Sequence, residues 1–130
     1  DRHLREQNAD FHILLGDFNG GLGSSVHHYL VGDQTLHGCE ANPCWNDLAS
    51  AFAARIGEPV RATLDTVHNP RWAGKKSIYV PEVVDRIYIR NHWCETELEL
   101  VQVFGTEISK KTGYTASDHY GVMAEVNFKK

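Results

Sequence analysis

The sequence predicts a mixed α/β domain, and three observations carry that reading. The apolar run Phe11-His12-Ile13-Leu14-Leu15 leads directly into a glycine-rich stretch. Val122, Ala124, Val126 and Phe128 alternate with Met123, Glu125 and Asn127. Trp45, Leu48, Ala49, Phe52 and Ile56 recur at helical spacing. Short apolar runs and period-two alternation belong to strands, whereas recurrence at three and four residues sets one face of a helix against a core. Periodicity fixes the class and leaves the sheet order open. At 130 residues the chain can bury one core, and its composition is that of neither a disordered, a coiled-coil nor a collagen-like segment.

Taken in order, residues 1–7 read as the tail of a helix, and 11–15 as a buried strand that ends in an open loop holding Gly20, Gly21 and Gly23. Ser24 or Ser25 caps a short helix over 26–30, ended by Gly32. His27 and His28 invite a metal reading, but neighbours on a helix point about 100° apart and do not converge on one ion. Both read as surface histidines. Residues 32–43, with Gly38 and Pro43, form a surface loop. The helix from Trp45 to Ile56 is stopped by Gly57 and Pro59. A β-rich run over 83–89 contains Asp85. Within 95–104, Glu97 and Glu99 oppose Leu98 and Leu100, the pattern of a strand with one wet face. Residues 105–116 are a loop, and the last strand follows, with Asp118 and His119 at its start.

The net charge is −4, and no basic block exceeds the pairs Lys75-Lys76, Lys110-Lys111 and Lys129-Lys130. Duplex binding needs clustered cations, so nucleic acid is mildly disfavoured as a partner. Lys110 and Lys111 could meet a lipid headgroup or an anionic membrane surface, with a solvated loop as the default. There is no apolar run long enough to span a bilayer and no signal-peptide pattern, although an internal fragment would have lost an N-terminal address. Cys39, Cys44 and Cys94 lack paired metal-ligand spacing. A Cys39 to Cys44 disulfide would favour a secreted or membrane-associated setting over the cytoplasm, which the sequence does not otherwise specify.

Three short polar stretches carry the chemistry. In Gly16-Asp17-Phe18-Asn19, side chains two apart leave a strand end on one face, so that Asp17 and Asn19 converge on one ligand. The alternative is a plain turn, which Asp and Asn-Gly also favour. Asp85 lies in a strand so apolar that an unpaired carboxylate is costly, and a histidine is its natural partner. The alternative is an edge-strand charge facing water. Ser117-Asp118-His119 borders the final strand. A serine hydrolase triad through Ser117 and His119 fails, because no nucleophile elbow is present and residues two apart on extended chain do not bring hydroxyl to imidazole.

Taken in that order, Gly16-Asp17-Phe18-Asn19, Asp85-Arg86-Ile87 and Ser117-Asp118-His119 resemble the second half of the endonuclease/exonuclease/phosphatase superfamily of metal-dependent phosphoesterases. The resemblance implies a four-layer α/β/β/α sandwich of the DNase I-like type. Residues 1–130 would cover about its C-terminal half, with no second domain. It also implies a missing N-terminal half that carries the principal metal-binding Glu and pairs with this chain. Thr63-Leu64-Asp65-Thr66-Val67-His68-Asn69 and Pro81-Glu82-Val83-Val84-Asp85-Arg86-Ile87 resemble the sphingomyelinase branch. Pro81, Asp85, Arg86 and Ile87 also resemble the inositol polyphosphate 5-phosphatases, and a nuclease member is a further alternative. Gly121 stands where both branches usually have proline, and Val83 where the 5-phosphatases have tryptophan.

The roles implied by the resemblance are specific. Asp17 orients or deprotonates the attacking water, and Asn19 donates to a phosphoryl oxygen. His119 contacts the same phosphoryl group, and Asp85 fixes its tautomer. Asp118 supports the metal or holds the turn of His119, and Asn69 contacts substrate or is a turn residue before Pro70. The expected cofactor is Mg2+ or another divalent cation, and the expected substrate a phosphodiester, best a phospholipid such as sphingomyelin. An expectation from another class is that the chain is a non-catalytic half-domain acting as an interaction module, its unpartnered apolar face driving association.

Overall fold

Caps written into the sequence delimit the helices. In the computed structural model, which describes residues 2–7, 9–35, 37–38, 44–74, 80–91 and 95–129, the order is α1 (Arg2–Arg5), β1 (Phe11–Asp17), α2 (Ser25–Val31), β2 (Asn46–Asp47) and α3 (Leu48–Ile56). One 3-10 turn (Pro70–Trp72), β3 (Asp85–Asn91), β4 (Glu95–Phe104) and β5 (Gly121–Lys129) follow. Ser24 accepts from the His27 amide to open α2, and Gly32 closes it at φ 92°, a left-handed conformation that a side chain disfavours.

The strands form two antiparallel sheets, one ordered β1-β3-β2 and the other the β4-β5 pair. The domain is thus a small mixed α/β fold, as the periodicity predicts. β3 lies between β1 and β2, but β2 pairs it only at Tyr88 and Ile89; at Asp85 the strand has β1 on one side and the Thr63 hydroxyl on the other. In the β1–β3 register, Asp17 faces Asp85, Leu15 faces Ile87 and Ile13 faces Ile89, while Gly16, Leu14 and His12 pair with Arg86, Tyr88 and Arg90. Cross-strand partners share a face. One face of the sheet therefore ends in two acids, and the other carries Arg86, Tyr88 and Arg90.

The second of these faces is covered. Tyr88 is 0% exposed, and the Arg90 guanidinium lies 4.6 Å from the ring centroid of the buried Trp45. Arg86, 1% exposed, donates to Asp47 Oδ2 at 2.7 Å, to His27 Nδ1 at 3.2 Å and to the Val83 carbonyl at 2.6 Å. Asp47 uses its other oxygen to cap α3, accepting from the amides of Ala49 and Ser50. That cap starts the helix at Leu48, so Trp45 packs as part of the core ahead of it rather than on its face.

Other expectations are corrected here. His27, expected on the surface, is buried. Because Arg86 can only donate, His27 Nδ1 accepts from it and from the Tyr88 hydroxyl at 3.0 Å, which puts the ring proton on Nε2. Burial, then the adjacent guanidinium, hold His27 below its ordinary value against the opposing pull of Asp47. Burial likewise pushes the Tyr88 phenol up to about 12. The strand over 11–15, expected to be buried, is an edge strand with Ile13 49% and Leu15 67% exposed.

The β4–β5 pair packs against both α3 and β3. Arg55 of that helix donates to the carbonyls of Leu98 and Glu99, where the ladder register shifts. Phe128 of β5 stacks on Phe11 of β1 with centroids 4.1 Å apart. Cys44 is an exposed free thiol, whereas Cys39 and Cys94, and with them the expected bridge, lie outside the described residues, as do Lys75, Lys76 and Lys130. No helix among the described residues is long and apolar enough to cross a membrane.

Candidate active site

The site grows from the Asp17–Asp85 pair. Like charges directly opposite each other in an antiparallel ladder repel. Their juxtaposition is therefore a feature that needs a cationic or proton-bearing neighbour. His119 supplies one: its Nδ1 lies 2.9 Å from Asp85 Oδ2, and ligand atoms of Asp17, Asp85 and His119 all lie within 4.8 Å of one another. Residues 68 and 102 positions apart from the first acid thus meet in one group.

Each member is held by local chemistry. The ladder continues past the end of β1 through the Phe18 amide, which donates to the Val84 carbonyl at 2.9 Å. Asp17 Oδ1 accepts from the Asn19 amide at 2.8 Å, closing a turn in which Asn19 takes φ 50°. Asparagine tolerates that region well. The strand ends at Asp17, so period-two alternation does not extend to Asn19. It is the backbone of Asn19, not its side chain, that meets Asp17, and the amide side chain sits on an exposed turn. A Cβ on Gly21 would lie 1.6 Å from a carboxylate oxygen of Glu82, so the loop runs beside the Glu82 side chain, whose movable end would have to shift for any larger residue.

Thr63 joins the other two segments. Its buried hydroxyl accepts from the amides of Val84 and Asp85, and its carbonyl accepts from the Tyr120 amide at 2.7 Å. The stretch 115–119 is then clamped from the 3-10 turn. Asn69 Nδ2 donates to the carbonyls of Ser117 at 3.0 Å and Asp118 at 3.1 Å, while its Oδ1 accepts from the Arg71 amide and the Thr115 hydroxyl. Arg71 donates to the carbonyls of Thr115 and Ala116, and Trp72 Nε1 to that of Asp118.

Asn69, expected at the substrate, is 1% exposed with both amide hydrogens and both acceptor sites engaged by protein. Its position is that of a scaffold for the His119 turn. Asp118 lies outside the three-residue group; it is exposed and accepts from the Ser117 hydroxyl at 3.3 Å. Ser117 Oγ meanwhile accepts from the His119 amide, which turns it toward the backbone rather than the imidazole. Thr63, Arg71 and Trp72 are the contributors that sequence reasoning missed. Only the threonine had a signal, as the first residue of Thr-x-Asp-x-x-x-Asn.

Asp65 of that same stretch closes a turn of its own. Burial pulls its carboxyl upward, but hydrogen bonds from the His68 amide and ring and the Val67 amide outweigh this and hold it low. It is a local brace and not a fourth member of the group.

The donor set suits a hard divalent cation. Asp17 has one oxygen committed to Asn19 and Asp85 has one committed to His119, leaving each a second carboxylate oxygen. The imidazole is engaged through Nδ1, so Nε2 is its free reactive atom. Comparison with protein-family models, with curated proteins and with solved structures finds no match for this chain.

Proposed function

We propose that the chain is the C-terminal half of a metal-dependent phosphodiesterase of the endonuclease/exonuclease/phosphatase type, with sphingomyelin or a related phospholipid as its substrate. The observation that carries this reading is the meeting of Asp17, Asp85 and His119 in one open group. The four-layer sandwich belongs to the same proposal, this chain supplying one helix-backed sheet and the β4–β5 pair.

Asp17 and Asp85 would hold Mg2+ or another hard divalent cation, which when bound supplies positive charge to the phosphoryl oxygens. Asp17, at the open end of β1, orients a water molecule and accepts its proton. Asp85 accepts the Nδ1 proton of His119, which fixes Nε2 toward the substrate. From there the ring accepts a proton or, once protonated, donates to a phosphoryl oxygen. Asn19, exposed beside Asp17, adds a neutral donor. Phosphoryl transfer depends mainly on such positioning and charge. Positioning here is the work of Thr63 and Asn69.

The test is hydrolysis of bis(p-nitrophenyl) phosphate and of sphingomyelin by the protein with added Mg2+, with and without EDTA. Activity that EDTA abolishes and that His119→Ala lowers by at least about two orders of magnitude supports the reading. Full activity in His119→Ala refutes it. Faster turnover of phosphoinositides selects the 5-phosphatase branch, and plasmid nicking a nuclease.

A second reading is favoured by the exposed Ile13 and Leu15 on the free side of β1. An apolar strip on an unpaired strand edge suits association with another polypeptide, the missing N-terminal half included. In that reading the chain is a non-catalytic interaction module, and gel filtration tests it: self-association supports the exposed strip as a contact surface, whereas a soluble, monodisperse, metal-insensitive monomer argues for a self-sufficient binding module.

A further inference from the structure

Between α3 and the β4–β5 pair lies a cavity of about 320 Å³, walled by Phe52 and Ala53 of α3, Val101 and Val103 of β4, Val122 of β5, and Asp85. We propose that this cavity seats one unbranched hydrocarbon chain of the substrate, whose phosphoester head lies at the Asp17–Asp85–His119 group. The head's position rests on the phosphodiesterase reading; the chain's does not.

Three features argue for such an occupant. The volume falls at the lower end of the range for small-ligand sites, and a sealed void of that size would weaken a fold in proportion to its volume. From α3 the cavity is lined by Ala49 and Ala53 beside Phe52 and Ile56, facing the valines of β4 and β5, and larger residues at the two alanines would narrow it. Most of the wall is aliphatic and aromatic, with Glu58, Arg61, Thr63 and Asp85 as its polar members, so the stretch between α3 and the valines of β4 and β5 favours a methylene chain over a sugar or a nucleobase. Finally, Asp85 belongs to both the cavity wall and the acid–histidine group, which makes the two regions neighbours without an intervening layer.

The substrate is then a single-chain or chain-extracted amphiphile, drawn out of its aggregate into the protein, and not only a headgroup cleaved at a membrane surface.

Calorimetric titration with ethyl phosphate and octyl phosphate, both below micellar concentration, tests this. Each buried methylene adds about fourfold to affinity, so octyl phosphate is expected to bind at least about tenfold more tightly even with partial seating. Ala53→Leu and Val103→Phe fill the void from opposite walls, and both are expected to abolish that gain while leaving ethyl phosphate affinity unchanged; circular dichroism reports whether either variant is folded. Equal affinities for the two ligands, or a gain untouched in a folded filled variant, overturn the proposal. So does a change of oligomeric state in Ala53→Leu with octyl phosphate affinity unaltered, which would make this surface an interface between copies. A chain-length gain in a protein whose ethyl phosphate affinity is the same with and without Mg2+ and in Asp17→Asn supports the cavity and overturns the metal-site reading. Hydrolysis of bis(p-nitrophenyl) phosphate without a chain-length gain does the reverse.

Discussion

Replacing Asn69 by alanine separates scaffold from chemistry. The wild-type amide makes four hydrogen bonds, to the carbonyls of Ser117 and Asp118, the amide of Arg71 and the hydroxyl of Thr115. The groups it would abandon are not equally stranded. Ser117 O retains the Thr115 hydroxyl, and Asp118 O retains Trp72 Nε1, whereas the Arg71 amide loses the acceptor that caps the 3-10 turn. Buried hydrogen bonds contribute on the order of 1 kcal/mol each, and loss of a cap about the same, so the variant is expected to lose about 3 kcal/mol. Urea denaturation reads this directly, as a midpoint lower by about 2 M at a slope of roughly 1.5 kcal/mol/M. The functional loss should act through His119. If so, Asn69→Ala lowers phosphodiester turnover in wild type but adds little in a His119→Ala background, because residues acting as a unit are not additive. An unchanged midpoint would remove the clamp as a structural element. Additive losses of turnover would instead assign Asn69 a substrate contact of its own.

Three further outcomes follow from other parts of the molecule. His27 has its folded value below 6.5, so the unfolded chain takes up a proton first; stability is full above pH 6.5 and declines as pH falls through the lowered value, and a His27→Gln variant should flatten that decline in urea midpoints measured from pH 7 to 5. Arg86→Met strips the cationic partner from Asp47, which is 4% exposed, and is expected to destabilise by about 3–5 kcal/mol, whereas Arg86→Met combined with Asp47→Leu should recover part of that loss in thermal melts. Mg2+ at one hundred times its dissociation constant should stabilise the protein by about 2.7 kcal/mol, with no such rise in Asp17→Asn; an equal rise in both proteins locates the ion elsewhere.

What was legible in the sequence is what neighbours in the chain determine. Alternation along 122–128 marks β5, and glycines at 32 and 57 mark helix ends because each takes a left-handed conformation there. Asp17, Asp85 and His119 stood out as polar residues bordering or interrupting apolar runs. The hidden features all depend on partners far away in sequence. Arg86 is buried because Asp47 and His27, 39 and 59 residues distant, accept from it. Asn69 looked like a turn residue or a ligand contact, since nothing local reveals carbonyls 48 and 49 residues on. For Asn19 the local rule stops short: alternation predicts a face shared with Asp17 only while the strand lasts, and the turn that Asp17 closes ends the strand, so the place of Asn19 beside Asp17 comes from that turn.

The two faces of β3 explain why a charged pair can stand so near the core. Asp85 and Arg86 are adjacent in a strand and therefore point to opposite sides. Arg86 reaches the carbonyls of Val83 and Gly20, just before Asp85 and just after the Asp17 turn, so one buried guanidinium ties the two acid-bearing segments from beneath. Its charge is balanced by Asp47 on that side, and the acids therefore do not draw on it for compensation. Their mutual repulsion is left to the open face, where His119 approaches Asp85 and where, under the proposed function, a divalent cation would bind.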